Sequence, residues 1–278
     1  MENKKRNYKI IAISAAVALL IFFASLFYLY REYLVKPFIE MEGTIPAAST
    51  ILMRAAILGA MSYYLLRRWF KQEVIYTSDA YFLFGTMFGI FAYAKLFDLF
   101  WNLIFIGKSF SEEFLLILLK IRYFIIIINA LPILYLALES TLTLANLYKK
   151  KELDRKQFNS IKLRIIIVYT IIISIYIIIV PTYAMLSYSL PFITMIIFLC
   201  IAIMFFFMYK NKRLSQANGL LIGLAFVFFI ISNAFRPILS WSLMTYGVML
   251  AEIIDTGINF LMFIGFVTKP PYAKSKIK

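Results

Sequence analysis

Long apolar runs, separated by short polar segments, follow one another along most of the chain. A helix rises about 1.5 Å per residue, so about 20 apolar residues cross the roughly 30 Å hydrocarbon core of a bilayer. Eight segments are long enough: Ile10–Tyr30, Ser49–Leu66, Tyr81–Ile106, Phe114–Leu144, Ile165–Tyr188, Phe192–Tyr209, Leu220–Leu243 and Val248–Val267. The pattern predicts an all-α fold, a polytopic transmembrane bundle of about eight helices.

Basic residues between these segments lie mostly on one side of the predicted membrane. Of the 29 Lys and Arg residues, 21 fall on the side of the two termini and of the basic run Lys149–Arg164. Only Arg31, Lys36 and Lys108 fall on the other side. Cytoplasmic loops of membrane proteins carry this excess of positive charge. Both the N- and the C-terminus are therefore predicted to be cytoplasmic.

Loop lengths set the predicted domain organisation. No loop is long enough for a second domain, so residues 1–278 are predicted to form a single integral membrane domain in the plasma membrane. It comprises cytoplasmic tails at 1–9 and 268–278, an anchor helix at 10–30 and a seven-helix core at 49–267. The first apolar run, at about 21 residues, exceeds the roughly 7–15 of a signal peptide, which favours a retained anchor over a cleaved leader. The outer segment Arg31–Ala48 is predicted to be a hydrated loop.

Composition excludes several classes of function. The chain is 63% hydrophobic and 15% charged, far from the composition of a soluble domain. The net charge of +15 is confined to short segments between apolar runs, so it indicates topology and no nucleic-acid partner. With no histidine and one cysteine, Cys200, the usual zinc and haem sites and histidine-activated nucleophiles are excluded. We predict no metal, no cofactor and no catalytic residue, and the missing catalytic signatures argue against an enzyme.

Glycine and proline positions predict how the helices pack. Gly85 with Gly89, and Gly219 with Gly223, are each four residues apart and so lie on one helix face, where small residues allow close approach of neighbouring helices. Prolines inside helices remove a backbone hydrogen bond. Three are predicted to interrupt helices: Pro132, Pro181 and Pro237.

Ionisable residues inside the apolar segments are the most informative feature of the sequence. A charge at the centre of a membrane helix costs about 2.5–3.5 kcal/mol on insertion scales, so it normally faces a partner or a wet cavity. Eight such residues occur: Arg54, Lys95, Asp98, Lys120, Arg122, Arg236, Glu252 and Asp255. Counting along each helix places all eight in the outer half of the membrane, with Lys120 and Arg122 nearest the outer rim.

Spacing along the helices predicts which of these residues lie together. Lys95 and Asp98 share one helix face, as do Glu252, Asp255 and Asn259. Our hypothesis is an outward-facing polar pocket in which the three carboxylates pair with some basic groups and a surplus Arg or Lys receives an anionic ligand group. The predicted ligand-binding residues are Arg54, Lys95, Asp98, Arg122, Arg236, Glu252, Asp255 and Asn259.

A structural interpretation of the same charges stands beside this hypothesis. Arg236 with Glu252 or Asp255 can form a purely structural ion pair, and Lys95 with Asp98 a local pair within one helix. Long basic side chains near the outer interface can also reach lipid headgroups. Two further acids, Asp79 and Glu139, are interpreted as carboxylates at the level of the inner headgroups.

Three function classes remain open on the sequence alone. The first is a transporter or permease for a small polar, anionic solute, which the intramembrane charges favour. The second is a sensory or receptor-like module that signals to a cytoplasmic partner protein, since its own cytoplasmic loops are short. The third is a membrane enzyme or a subunit of a membrane complex. Polar groups become sparse in the inner half, which weakens the transporter interpretation, and membrane lipids are expected partners in every case.

Overall fold

All regular structure in the computed structural model is helical over the residues it describes, 2–148, 154–214 and 217–274. In chain order the elements are α1 (Glu2–Leu29), α2 (Arg31–Glu40), α3 (Thr44–Phe70), α4 (Ala80–Ile106), α5 (Glu112–Tyr148), α6 (Arg155–Ile179), α7 (Tyr183–Lys210), α8 (Gly219–Val267) and α9 (Pro271–Lys274). Within these ranges eight segments are long and apolar enough to cross a membrane, and α8 contains two of them. The chain is a multi-spanning, all-α membrane protein, as predicted.

The helices divide into two compact units, Met1–Asn129 and Ala130–Lys278. The first unit contains α1 to α4 and residues 112–129 of α5, and the second contains the remainder of α5 and α6 to α9. The single domain expected over residues 1–278 stays a prediction.

Close packing of α3 against α4 forms the centre of the first unit. A Cβ atom at Gly85 would lie 2.9 Å from Cγ of Leu66, and one at Gly89 would lie 2.9 Å from Oγ of Ser62. The Ser62 hydroxyl donates a hydrogen bond of 2.7 Å to the carbonyl of Gly85. Only glycine leaves room for this approach, so the packing role predicted for Gly85 and Gly89 is confirmed.

Helix α1 lies along α4 in the same unit. The Tyr93 hydroxyl donates to the Ala16 carbonyl at 3.0 Å, and the Phe23 and Tyr93 rings stack with centroids 6.3 Å apart. Much of the rest of α1 exposes large apolar side chains such as Ile10 and Ile13. These suit contact with lipid. Retention of this helix as an anchor stays a prediction.

Helix α2 occupies most of the segment that the sequence analysis interpreted as a hydrated loop. Its Leu34 and Pro37 side chains are buried, and α3 already begins at Thr44. The loop prediction for Arg31–Ala48 is therefore wrong over most of its length. A ten-residue helix is too short to span a bilayer, and its structure depends on burying one apolar face against neighbouring helices.

Helix α8 turns back on itself. A straight helix of its 49 residues would be about 73 Å long. Yet the N–H of Asn218 donates to the Gly265 carbonyl at 2.7 Å. Arg236 Nη1 donates to Asp255 Oδ2 at 3.0 Å, although 19 helical residues rise about 28 Å. The element is therefore a hairpin with a first arm, residues 219–243, and a second arm, residues 245–267, and both predicted spans are confirmed.

Glycines let the hairpin arms and α7 approach closely. A Cβ atom at Gly265 in the second arm would lie 2.9 Å from Cβ of Leu221 in the first. In the first arm, one at Gly219 would lie 2.8 Å from the Phe205 carbonyl oxygen, and one at Gly223 would lie 2.7 Å from the Phe206 ring. The packing role predicted for Gly219 and Gly223 is confirmed.

The turn between α6 and α7 lies about nine residues earlier than the spans Ile165–Tyr188 and Phe192–Tyr209 predict. Val180 leaves the helical conformation, with φ −56° and ψ 122°. The Thr182 side chain accepts a hydrogen bond from the Met185 N–H as the N-cap of α7. Pro181 thus separates two helices, since proline lacks an N–H and disfavours helix at the residue before it. The helical backbone continues through Pro132 and Pro237. Pro181 lies in the connection between α6 and α7, so the prediction that it interrupts a helix is wrong.

Helix α6 also begins ten residues before the predicted position. The last part of the basic run Lys149–Arg164 is therefore helical, while residues 149–153 lie outside the described residues. The early start brings Phe158 and Lys162 into a helix, where they lie on one face.

Candidate functional site

In the first unit, Asp98 of α4 is held between two cations. Its Oδ2 accepts a hydrogen bond of 2.6 Å from Nζ of Lys95, one turn earlier on the same helix. Its Oδ1 accepts one of 2.6 Å from Nε of Arg122 on α5. We call Lys95, Asp98 and Arg122 the Asp98 triad. It joins α4 to α5 through charge-assisted hydrogen bonds, the strongest class in proteins.

Arg54 of α3 belongs to the same polar centre. Its guanidinium carbon lies 4.9 Å from the centroid of the Phe91 ring, and Nζ of Lys95 lies 5.6 Å from the same centroid. The face of an aromatic ring carries negative potential and attracts cations. One ring therefore contacts a cation from α3 and a cation from α4.

These four side chains lie at one level and are withdrawn from the surface. Arg54 is 0% exposed, Lys95 1% and Asp98 6%. The Arg122 side chain keeps 22% of its surface. Counted from the helix ends on the predicted outer side, at Thr44, Ile106 and Glu112, all four lie about 12–16 Å in. Arg122 therefore lies deeper than the outer rim that the sequence analysis assigned to it, because α5 begins before the predicted span.

In the second unit, the charge pattern is reversed and a cation lies between two carboxylates. Arg236 on the first arm of α8 donates through Nη1 to Asp255 at 3.0 Å and through Nη2 to Glu252, both on the second arm. The Ser232 hydroxyl donates to the other Asp255 oxygen at 2.5 Å. We call Arg236, Glu252 and Asp255 the Arg236 triad. Its carboxylates are at most 1% exposed, and it fastens the two arms of the hairpin.

Asn259 lies one turn beyond Asp255 on the second arm. It is 1% exposed, and its Nδ2 has no hydrogen-bond partner among the residues the structure describes. Buried amide donors are nearly always satisfied in proteins. The Asn259 amide is therefore a buried hydrogen-bond donor, and an acceptor atom placed beside it would stabilise the protein.

A third buried charge lies towards the predicted cytoplasmic side of the second unit. Lys162 of α6 is 3% exposed and pairs with Glu139 of α5. Its Nζ lies 3.9 Å from the centroid of Tyr135 and 5.6 Å from that of Phe158. The Glu139 side chain keeps 38% of its surface exposed, and its interpretation as a carboxylate at the level of the inner headgroups stays a prediction.

Three of these residues escaped the sequence analysis for identifiable reasons. Lys162 and Phe158 have helical spacing, but the predicted helix began after both of them. Ser232 precedes Arg236 by one helical turn, and a serine in an apolar helix carries no further signal.

Asp79 caps the predicted inner end of α4, where its side chain accepts the Tyr81 N–H at 2.7 Å. Its interpretation as a carboxylate at the level of the inner headgroups stays a prediction.

The structure brings most of the predicted site residues into contact within their own units. Pairing of Asp98, Glu252 and Asp255 with basic side chains, as predicted, is confirmed. Asn259 lies one turn away from its triad, and Arg54 contacts the ring that Lys95 also contacts. The ligand-binding role of these eight residues stays a prediction.

Comparison of the chain with protein-family models, with curated proteins and with solved structures gave no match. The part of the chain that the structure describes contains no group of three or more Cys, Asp or Glu side chains that could hold a metal ion. Function is therefore inferred from the buried charges themselves.

Proposed function

We propose that this protein binds a small anionic solute at the Asp98 triad and Arg54 and carries it across the plasma membrane as a transporter or permease. The observation that supports the proposal is the charge of this centre. Three cationic side chains, Arg54, Lys95 and Arg122, lie at the same level as the Asp98 carboxylate. Residues 44–70, 80–106 and 114–129 contain one acidic residue between them, Asp98.

The number of donors in this centre favours an anionic ligand. An ammonium has three N–H donors and a guanidinium five, whereas a carboxylate offers two oxygens. A solute with several acceptor oxygens, such as a phosphate, a sulfate or a carboxylate, would accept hydrogen bonds from these donors.

Transport also requires polar groups in the inner half of the membrane. Towards the predicted cytoplasmic side of the second unit, α6 carries the buried Lys162 and α5 carries its partner Glu139. Opposite charges that stay together can remain near the membrane without exposing a lone charge to lipid. This pair adds a buried cation on that side of its own unit, which favours transport.

A sensory module is the second candidate function. It is favoured by the position of the Asp98 triad and Arg54, which all lie in the predicted outer half of their helices. Such a module would bind its ligand from outside and pass the signal to a cytoplasmic partner protein.

Binding of simple anions to the purified full-length protein tests the proposal. We expect sulfate, inorganic phosphate or acetate to raise its melting temperature at constant ionic strength. The Arg122→Gln variant should bind the effective anion at least about tenfold more weakly, since it loses a charge-assisted contact. Lys36→Gln, which removes an exposed cation of α2, is the matched control and should bind as wild type. Equal binding by wild type and Arg122→Gln would overturn the proposal.

Uptake measurements separate the two candidates. The anion that binds should accumulate in vesicles containing the reconstituted protein if it is a transporter. Binding without uptake would favour the sensory module.

A further inference from the structure

An apolar groove lies at the ends of α1, α3 and α4 beside α2, in the first unit. Its volume is about 380 Å³, and its walls include Phe27, Leu34, Leu52, Leu99 and Leu103. This volume lies within the range of roughly 300–1,000 Å³ typical of pockets that bind small molecules. Neither Arg54 nor a member of the Asp98 triad lines it, so it is a separate feature of the unit.

The groove is open along its side and basic at one edge. Val35 and Leu52 in its walls are 52% and 48% exposed. The Arg31 side chain is the one charged group lining the groove, and only Ser49 adds another polar side chain. The Arg31 guanidinium lies over the Tyr28 ring, 5.0 Å from its centroid, which restricts its orientation.

The surroundings of the groove favour a lipid as its occupant. Positive-inside topology places Arg31 on the outer side, just beyond the end of the first span, at the level of lipid phosphates. The apolar walls face the acyl region, and a guanidinium matches two phosphate oxygens with two parallel N–H donors. A single phospholipid would place its phosphate on Arg31, at the basic edge, and an acyl chain against the apolar walls of the groove.

We propose that this groove binds one phospholipid, with its phosphate on Arg31 and one acyl chain along Phe27, Leu52 and Leu103. The site goes beyond the proposed function and does not depend on it. An acyl chain gains little hydrophobic free energy by moving from the bilayer into an apolar groove, because both surroundings are equally apolar. The affinity of the groove for the phospholipid therefore depends mainly on the contact between Arg31 and the phosphate. The apolar walls determine where the acyl chain lies.

A lipid bound there would contact the helices that carry the Asp98 triad and Arg54. Leu99 follows Asp98 directly on α4, and Leu52 precedes Arg54 by two residues on α3. Occupancy would thus restrict the outer ends of α3 and α4 next to the proposed anion site.

Lipid titration followed by native mass spectrometry tests the inference with the full chain in detergent. Phosphatidylglycerol should bind wild type as a single retained molecule. Arg31→Gln should bind it about fivefold more weakly, since one basic residue near a membrane surface contributes about that factor. Leu52→Trp, a substitution at a half-exposed wall position, should reduce binding further by filling the groove. Lys36→Gln on the same helix removes a cation that does not line the groove and should bind as wild type.

Three results would overturn the inference. One is equal binding by wild type and Arg31→Gln. Another is unchanged binding by Leu52→Trp. The third is displacement of the lipid by inorganic phosphate or glycerol phosphate at similar concentration, because either probe carries the phosphate without an acyl chain. Arg122→Gln should retain the lipid, so failure of the anion site and failure of the lipid site are distinguishable.

Discussion

Each unit holds one charged side chain between two partners of opposite charge, but the central charge is negative in the first unit and positive in the second. In the first, Asp98 lies between Lys95 and Arg122, and in the second, Arg236 lies between Glu252 and Asp255. Each triad places its central charge in contact with two partners, which lowers the cost of keeping it away from water. The first triad thus has two cations around one carboxylate, and the second has two carboxylates around one cation.

The two triads also differ in what they join. The Arg236 triad joins two arms of one hairpin, so its hydrogen bonds have an evident structural role. The Asp98 triad joins α4 to α5, and Arg54 of α3 lies at the same level. These three basic side chains supply N–H donors at one depth, and the proposed anion site is based on them.

Removing the central residue of either triad should produce the largest effect. Asp98→Asn leaves two buried cations facing each other, and Arg236→Gln leaves two buried carboxylates. Breaking a buried ion pair in this way costs about 3–5 kcal/mol. Thermal or denaturant unfolding in detergent measures the loss, with the exposed Glu113→Gln as the control. A loss below about 1 kcal/mol in either central variant would show that its triad is not a buried, paired centre.

An intermediate effect is expected from the packing of the hairpin. Gly265→Ala places a methyl group 3.0 Å from the Ile222 backbone nitrogen, and overpacking of this kind costs about 1–3 kcal/mol. Gly257→Ala lies on the same arm with nothing within 4 Å. It should be neutral or stabilise the helix by up to about 1 kcal/mol. Unfolding of the two variants measures the contrast, and equal stability would argue against contact between the arms.

The smallest effects should distinguish satisfied from unsatisfied polar groups in the second unit. Ser232→Ala removes a hydrogen bond to Asp255, and such bonds in membranes contribute about 0.6 kcal/mol, up to about 1.7. Asn259→Leu removes an amide whose Nδ2 makes no hydrogen bond to the described residues, so the free energy of unfolding should change less. A larger loss for Asn259→Leu than for Ser232→Ala would mean that Asn259 stabilises the fold.

The sequence predicts the spans and the local charge pairs, but not all of the packing. Segment lengths identify eight spans, including both arms of α8, and helical spacing identifies the Lys95–Asp98 pair. The turn at Pro181 escaped because the apolar run continues on both sides of it. The Lys162–Glu139 pair escaped because it depends on where α6 begins, and pairing of Asp98 with Arg122 depends on which helix face packs against α4. Neither is a property of a single segment.

The most direct test of the account asks whether the Asp98 triad borders water on the outer side. In a Cys200→Ser background, a cysteine replacing Arg122 should react with a charged, membrane-impermeant thiol reagent added from outside. Replacing the neighbouring Ile121, whose apolar side chain is 42% exposed, gives a lipid-facing control that should not react. Absence of reaction at both positions, in protein that remains folded, would contradict an outward-facing anion site and leave the triad as a structural ion-pair cluster.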